Sequence, residues 1–423
     1  MALAAPPSTS PITPAEQRER LAQLLASRSP APRRILVIGP DITRCYSGAG
    51  GLTSLLFVLA AGRCHIDLMP ALGTHEPMTP AELDRMYPGV PHDRVLVHDW
   101  RNDLLRIGEI PAGRIEQLSA GRLHFSIAVE INRRLLEGGY DLILSVGQVV
   151  PHEVIGMANH SKNLFIGVGG GELLNKSHYL GAVVGMEQIM GRMNNPVRSV
   201  MDDAAAHGLA GLPIVYVQTV IAPDPQGRPA LHGLFIGEGR RPFEDAARLS
   251  QRLNITVVER PLKKCVVYLE PHEFRTTWLG NKSVYRTRMA IADGGELLVL
   301  APGLRAFGED PGIDRLIRKY GYFGTPATLR QVEGQPELQT SLAAAAHLIH
   351  GSSEGRFRIV YAPGKLSREE IESVGYEWAD LAQALRRYDP DRLVEGWNER
   401  DGEEFYFIRH PGLGLWCQSP IRE

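Results

Sequence analysis

Six short apolar stretches punctuate the chain: 35-ILVIGPD-41, 142-LILSVGQVVP-151, 164-LFIGVGGG-171, 265-CVVYLEP-271, 297-LLVLAPG-303 and 357-FRIVYAPG-364, each closing on Gly, Pro or Asp. Continuous runs of this kind predict strands covered on both faces, the habit of parallel sheets with helices above and below. The segment 214-IVYVQTVIAPDPQGRPALHGLFIG-237 differs, because two β-like runs flank Asp224-Pro225-Gln226-Gly227-Arg228, which predicts an antiparallel hairpin. Helix starts are written just as locally. Thr13-Pro14-Ala15-Glu16 and Thr79-Pro80-Ala81-Glu82 combine a hydroxyl cap, a glutamate three residues on, and a proline where no N–H is needed. Ser367-Arg368-Glu369-Glu370 repeats the device without the proline.

Strand-then-helix grammar therefore predicts an α/β protein with mostly parallel sheets flanked by helices. At 423 residues the chain is longer than one hydrophobic core usually serves, so two domains are expected. The hairpin followed by 243-FEDAARLSQRL-253 reads as the close of a first lobe. The expected division is 1–258 for an N-terminal α/β domain and 259–404 for a smaller α/β domain closing over the substrate. The tail 405–423 is expected to return to the first lobe. Ligands in open α/β sheets sit outside the carboxyl ends of the strands, and the active site is expected in the cleft between the domains.

Composition narrows the partners. A net charge of -2 provides no electrostatic footprint for nucleic acid or an anionic membrane. No apolar run approaches the roughly 18 to 20 residues that cross a bilayer. The N-terminal MALAAPPSTSPITPAEQ, broken by prolines, is a poor signal peptide. Cys45, Cys64, Cys265 and Cys417 lie far apart with no C-x-x-C pair, which argues against a disulfide framework and for a reducing, cytoplasmic setting.

The residues just after the apolar runs carry the candidate chemistry. Asp41-Ile42-Thr43-Arg44, followed by 47-SGAGG-51, suits a phosphate or carboxylate, or equally a capped helix start with a solvated arginine. His75 follows 67-DLMPAL-72. In 151-PHEVIGMANHSK-162 two histidines and a lysine fall within one segment, and His178 follows 167-GVGGG-171. Three readings compete for these nitrogen bases. A zinc site lacks H-E-x-x-H and a carboxylate that the spacing singles out. A dinucleotide site fails where Glu172 stands in place of the third glycine of G-x-G-x-x-G. The third is a site in which a lysine holds a cofactor while separate histidines serve as acid, base and metal ligand. Spacing alone leaves the three open.

The islands 41-DITR-44, 73-GTH-75 and 151-PH-152, with Lys162 ten residues on and His178 sixteen further, resemble the lactate racemase family in order and spacing. Members of that family carry a nickel-pincer nucleotide. The resemblance implies that His75 and His152 are the general acid/base histidines, that Lys162 bonds covalently to the cofactor, and that His178 is the nickel ligand. Asp41, Thr43 and Arg44 would line the cofactor and substrate side. Lys282, in 278-WLGNKSVYRTRMAIADGG-295, matches the substrate-side lysine. The implied reaction moves hydrogen as hydride, which avoids a carbanion beside an unactivated carboxylate, while the histidines move the hydroxyl proton.

Departures from the family pattern bear on the substrate. The glycine-glycine-arginine turn expected before the lysine is 158-ANHS-161 here, so Asn159, His160, Ser161 or the amides of Gly169, Gly170 and Gly171 are candidates for the cofactor phosphate, with His160 favoured slightly as a plain turn residue. Leu279 stands where a glutamine is expected, and 337-ELQTSLAAAAHLIH-350 lacks the family's tryptophan. These losses point past lactate to a larger 2-hydroxy acid such as an aldonate, toward which Arg286 and Arg288 could reach, although a solvated helix face is the favoured reading for both. The expectation is a racemase or epimerase acting at C2, served by cofactor-assembly proteins. The alternatives are a nicotinamide-dependent 2-hydroxy acid dehydrogenase, a zinc hydrolase using the same histidines, and a non-catalytic cofactor carrier.

Overall fold

The computed structural model describes residues 10–412 and 414–421. Residues 1–9, on which the reading of the N-terminus as a poor leader partly rests, lie outside the described residues, as do residue 413 and the last two of the C-terminal tail. The chain folds into two compact units. Unit 1 runs to Ser177 and resumes over Met193–Leu253, and unit 2 comprises His178–Arg192 and the chain from Asn254 onward.

Unit 1 is built on a five-stranded sheet of β1 (Arg34–Pro40), β2 (His65–Ala71), β3 (Leu142–Gln148), β4 (Ile214–Pro223) and β5 (Pro229–Gly237), in the order β2-β1-β3-β4-β5. The first three pairings are parallel, and β4 and β5 form the antiparallel hairpin that the sequence predicts. One face buries Val37, Leu144, Val146, Val215 and Val217 against Leu21 and Leu24 of helix α1 (Pro14–Ala26) and Leu52 and Leu56 of helix α2 (Ala49–Ala60). Burying each such side chain stabilises the fold by about 1.5 to 3 kcal/mol. The capping boxes at Thr13, Thr79 and Ser367 all form.

One predicted strand is absent. The run 164-LFIGVGGG-171 instead ends the short helix α3 (Ser161–Phe165) and becomes a glycine loop leading into α4 (Gly171–Val184). A buried helical turn shows the same unbroken apolar signal as a buried strand, so periodicity could not separate them. A further hairpin, Leu104–Ile110 with Ile127–Asn132, was not foreseen.

Unit 2 holds a six-stranded sheet of β6 (Leu262–Tyr268), β7 (Ile291–Ala301), β8 (Arg358–Pro363), β9 (Glu377–Trp378), β10 (Gly396–Arg400) and β11 (Glu403–Ile408), ordered β9-β8-β7-β6-β11-β10. Of these pairings, only β10–β11 is antiparallel. The tail expected to return to the first lobe belongs here instead: β11 pairs with β6, and Leu415–Cys417 pairs with Ile255–Val257. Residues 178–192 join unit 2 because Met186 and Met190 pack with Tyr285 and Leu415, and because Arg288 Nε lies 2.6 Å from Glu187 Oε1. Arg286 and Arg288 are therefore not on a solvated helix face. Both are buried, Arg286 donating to the Gly414 carbonyl and Arg288 to Glu187 and the Ser352 carbonyl.

Candidate active site

The chain leaves β1, forms β2 on one side of it, and returns to add β3 on the other, so the strand order reverses between β1 and β3. Ligands bind outside the carboxyl ends of strands at such a switch point. Three of the segments singled out in the sequence follow those ends: Asp41 after β1, Gly73–His75 after β2, and residues 149–162 after β3. Asn163 of α3 donates its amide to the Ile38 carbonyl of β1 (3.2 Å) and to Ser145 Oγ of β3 (3.1 Å), pinning the helix that carries Lys162 across the switch. Gly73, at φ +58°, donates its N–H to the Gly167 carbonyl at 2.8 Å and ties the end of β2 to the same loop.

Asp41 caps the short 3-10 turn Ile42–Arg44. One carboxylate oxygen accepts from the Thr43 N–H and hydroxyl. The other lies 2.6 Å from Nδ1 of His75. Asp41 is 6% exposed, whereas the His75 side chain is 61% exposed. This arrangement assigns the Nδ1 proton of His75 to the Asp41 side and leaves Nε2 as the basic nitrogen, in a ring that reaches solvent. Burial works against the Asp41 charge, but the hydrogen bonds from His75 and Thr43 outweigh it and hold the carboxyl below its usual range. Thr43 and Arg44 are exposed.

His152 ends a two-residue strand, Pro151–His152, that pairs with Gly156–Met157, and it is buried. Its Nδ1 accepts the Val154 N–H at 3.1 Å. Glu153 also approaches Nδ1, at 3.8 Å, but that separation is too long for a hydrogen bond, so the backbone contact sets the tautomer. The neutral ring then carries its proton on Nε2, the opposite arrangement from His75. Lys162 is half-buried. Burial, then the Arg44 and Arg198 guanidiniums, bring its amine down to about 8 against the pull of Glu153 and Asp41.

The remaining predicted residues lie in unit 2. His178 is half-buried on α4, beyond the point at which that helix passes from one unit to the other. Lys282 opens helix α6 (Lys282–Thr287), its amine 5.7 Å from the centre of the Phe274 ring. Among the described residues no three His, Cys, Asp or Glu side chains gather closely enough to hold one ion.

Residues 14–191 match the lactate racemase N-terminal domain. Over that span, somewhat under half of its length, the chain is similar to the lactate racemase family. A solved protein from Thermotoga maritima has the same fold at 23% identity and a TM-score of 0.77, with 96% of this chain and 100% of that one covered. The lactate racemase apoprotein from Thermoanaerobacterium thermosaccharolyticum superposes with a TM-score of 0.70 at 16% identity, covering 95% and 93%. No curated protein matches the sequence.

Against the lactate racemase pattern, three local features stand out. The glycine run packs tightly: a Cβ on Gly169 would lie 2.0 Å from the Phe165 carbonyl oxygen, and one on Gly170 would lie 2.3 Å from Glu130 Oε2. The Gly170 N–H already donates to the Glu130 carbonyl at 3.3 Å. In place of the glycine-glycine-arginine turn, Asn159 and His160 both adopt left-handed backbone, at φ +67° and +59°. His160 is a buried structural residue. Its Nε2 donates to the Gly239 carbonyl at 3.1 Å, its ring packs 4.0 Å from Tyr216, and burial followed by the Arg198 charge takes its pKa to about 3.

Sequence reading missed Arg198, on helix α5 (Pro196–Gly208), which binds the Met157 and Asn159 carbonyls and Ser161 Oγ. A polar residue on an amphipathic helix gives no signal that it points inward. In unit 2, where the family's tryptophan is missing from helix α7 (Leu342–His350), His347 stacks 4.3 Å from Trp278 and shares a hydrogen bond with Tyr322 at 3.0 Å.

Proposed function

We propose that this protein is a member of the lactate racemase family, a racemase or epimerase that inverts C2 of a 2-hydroxy acid, with a nickel-pincer nucleotide bound covalently through Lys162 and His178 as the nickel's protein ligand. The observation that carries the reading is the meeting of the Asp41–His75 pair and the Lys162 helix at the sheet's switch point. The residues suit such a group. A lysine amine titrating at about 8 is partly neutral at pH 7 and able to form a covalent bond, and the exposed Arg44 beside it offers a counter-charge for a phosphate.

When bound, the cofactor supplies a ring that accepts and returns hydride. The chain's own side chains handle the proton. His75 Nε2 takes it from the substrate hydroxyl, and Asp41 stabilises the imidazolium that forms. His152, in its protonated imidazolium form, serves as the acid that returns one and is left neutral. In the reverse direction the two exchange roles. Lys282 neutralises the substrate carboxylate. Leu279 and the missing tryptophan favour a larger substrate such as an aldonate over lactate. All four cysteines are free thiols, which suits a cytoplasmic enzyme supplied by cofactor-assembly proteins.

The test is intact mass and nickel content of protein produced together with the assembly enzymes, beside a Lys162→Ala sample. A nickel-bearing adduct of nucleotide size, lost in the variant, is the expected result. Absence of both adduct and nickel in the unaltered protein would overturn the cofactor reading.

A further inference from the structure

Arg198 is 1% exposed, and its hydrogen bonds converge on one loop. Its guanidinium reaches the Met157 carbonyl (2.5 Å), the Asn159 carbonyl (3.3 Å) and Ser161 Oγ (3.1 Å) and lies 4.4 Å over the Phe243 ring. One turn along α5, the carboxylate of Asp202 is bound by Arg240. Burial pulls the Arg198 guanidinium down to about 10, still charged at neutral pH. A second contact from the start of the same helix supports the grip, since Asn195 donates its amide to the Ile155 carbonyl at 3.0 Å. The loop so held contains the consecutive left-handed residues Asn159 and His160, a conformation that non-glycine residues keep only when their surroundings impose it. Lys162 follows two residues later, on the first turn of α3.

We propose that Arg198 is the positioning residue of Lys162: it locks the left-handed Asn159–His160 turn from which the lysine's helix starts, and it holds a buried positive charge that acts on the amine through space. The inference rests on the proposed function only for what the lysine is used for. The other charged groups acting on the amine are Arg44 and Asp41, from the loop after β1, and Glu153, from the loop after β3. Arg44 is exposed and screened by solvent, so the buried Arg198 is the cation whose effect persists at high salt. Both consequences favour one state, a neutral and fixed nucleophile.

The experiment uses the full chain without cofactor. N-acetoxysuccinimide is applied between pH 6 and 11, and acetylation of Lys162 is quantified by peptide mass spectrometry, with amide hydrogen exchange over residues 155–163 measured in parallel. In the unaltered protein the labelling midpoint should fall at about 8. Arg198→Met should raise it enough to cut the neutral amine at pH 7 by about threefold or more. Arg198→Lys keeps the charge but cannot span three acceptors. It should hold the midpoint while loop amides exchange about tenfold faster. A folded Arg198→Met protein with an unmoved midpoint overturns the electrostatic part, and unchanged exchange in Arg198→Lys overturns the positioning part. If Arg198→Met does not fold, a rise in the Arg198→Lys midpoint overturns the electrostatic part by itself. Neither nickel nor nucleotide enters this assay, so a missing cofactor adduct would leave its result standing.

Discussion

Replacing Asp41 with asparagine tests the pair on which the proposed proton transfer depends. The 2.6 Å contact to His75 Nδ1 is charge-assisted, and such bonds contribute about 1.5 to 3 kcal/mol. Because the His75 side chain is 61% exposed, solvent screening sets the expectation at the lower end, about 1.5 kcal/mol, or a 10- to 20-fold loss of kcat. The assay is inversion of the substrate by cofactor-loaded enzyme, together with nitrogen NMR of His75 in cofactor-free protein, where the variant should lose its preference for the Nδ1–H tautomer. Stability supplies a second readout. The folded Asp41 carboxyl sits below its usual range, so its contribution is present above the unfolded value of about 3.9 and is lost as pH falls through the folded one. Asp41→Asn should therefore flatten acid unfolding in that window. A variant with kcat within about twofold of the unaltered enzyme and an unchanged His75 tautomer would refute the assigned role.

Three further outcomes follow from the same geometry. Lys162 titrating at about 8 rather than 10.5 opposes folding by on the order of 3 kcal/mol at most, trimmed to about 1 to 2 by its partial exposure; Lys162→Met should stabilise the protein by that amount at pH 7, with the gain fading as pH rises from 8 to 10.5, as denaturant melts across pH will show. Gly169→Ala would drive a Cβ to 2.0 Å from a backbone oxygen and should cost about 2 to 4 kcal/mol, read as a lowered Tm; an unchanged Tm would mean the loop yields freely. Gln218, fully buried on β4, has no hydrogen-bond partner among the described residues for either end of its amide, so Gln218→Met should raise stability by about 1 kcal/mol in urea unfolding, and a loss would show that the amide is satisfied in solution.

The sequence reveals what depends on neighbours along the chain and conceals what depends on neighbours in space. Capping boxes at Thr13, Thr79 and Ser367 are complete within four residues, and all three form. The β4–β5 hairpin is likewise announced by its turn residues. By contrast, 164-LFIGVGGG-171 is apolar because Leu164, Phe165, Ile166 and Val168 are all buried, and nothing in the run says whether it is strand or helix. Arg198, Arg286 and Arg288 look like solvated helix residues until their buried partners, 37 to 128 positions away, are known. Asp41, His75 and Lys162 were legible because they follow apolar runs, whereas the hydrogen bond joining Asp41 to His75 spans 34 positions and was not.

Local rules are broken most densely where the chemistry is proposed. Within Met157–Lys162 lie two left-handed non-glycine residues, a histidine held neutral by burial and a lysine with a weakened proton; close against them lies a buried arginine whose hydrogen bonds go to one neutral hydroxyl and two carbonyls. Unit 2 offers a contrast in its buried polar column, where Asn281 Oδ1 accepts from Tyr361 and Tyr376, Tyr376 also donates to the Gly351 carbonyl, and Thr277 and His347 flank Tyr322. Most of that column's polar groups are paired, Asn281 Nδ2 excepted, and it holds neither a charged side chain nor a left-handed residue. The loop before Lys162 is strained and charged, at a cost that stability alone would not retain. Sequences that break local rules usually do so at functional sites. The energetics of this loop thus point to Lys162 by a route that depends neither on family likeness nor on the identity of the cofactor.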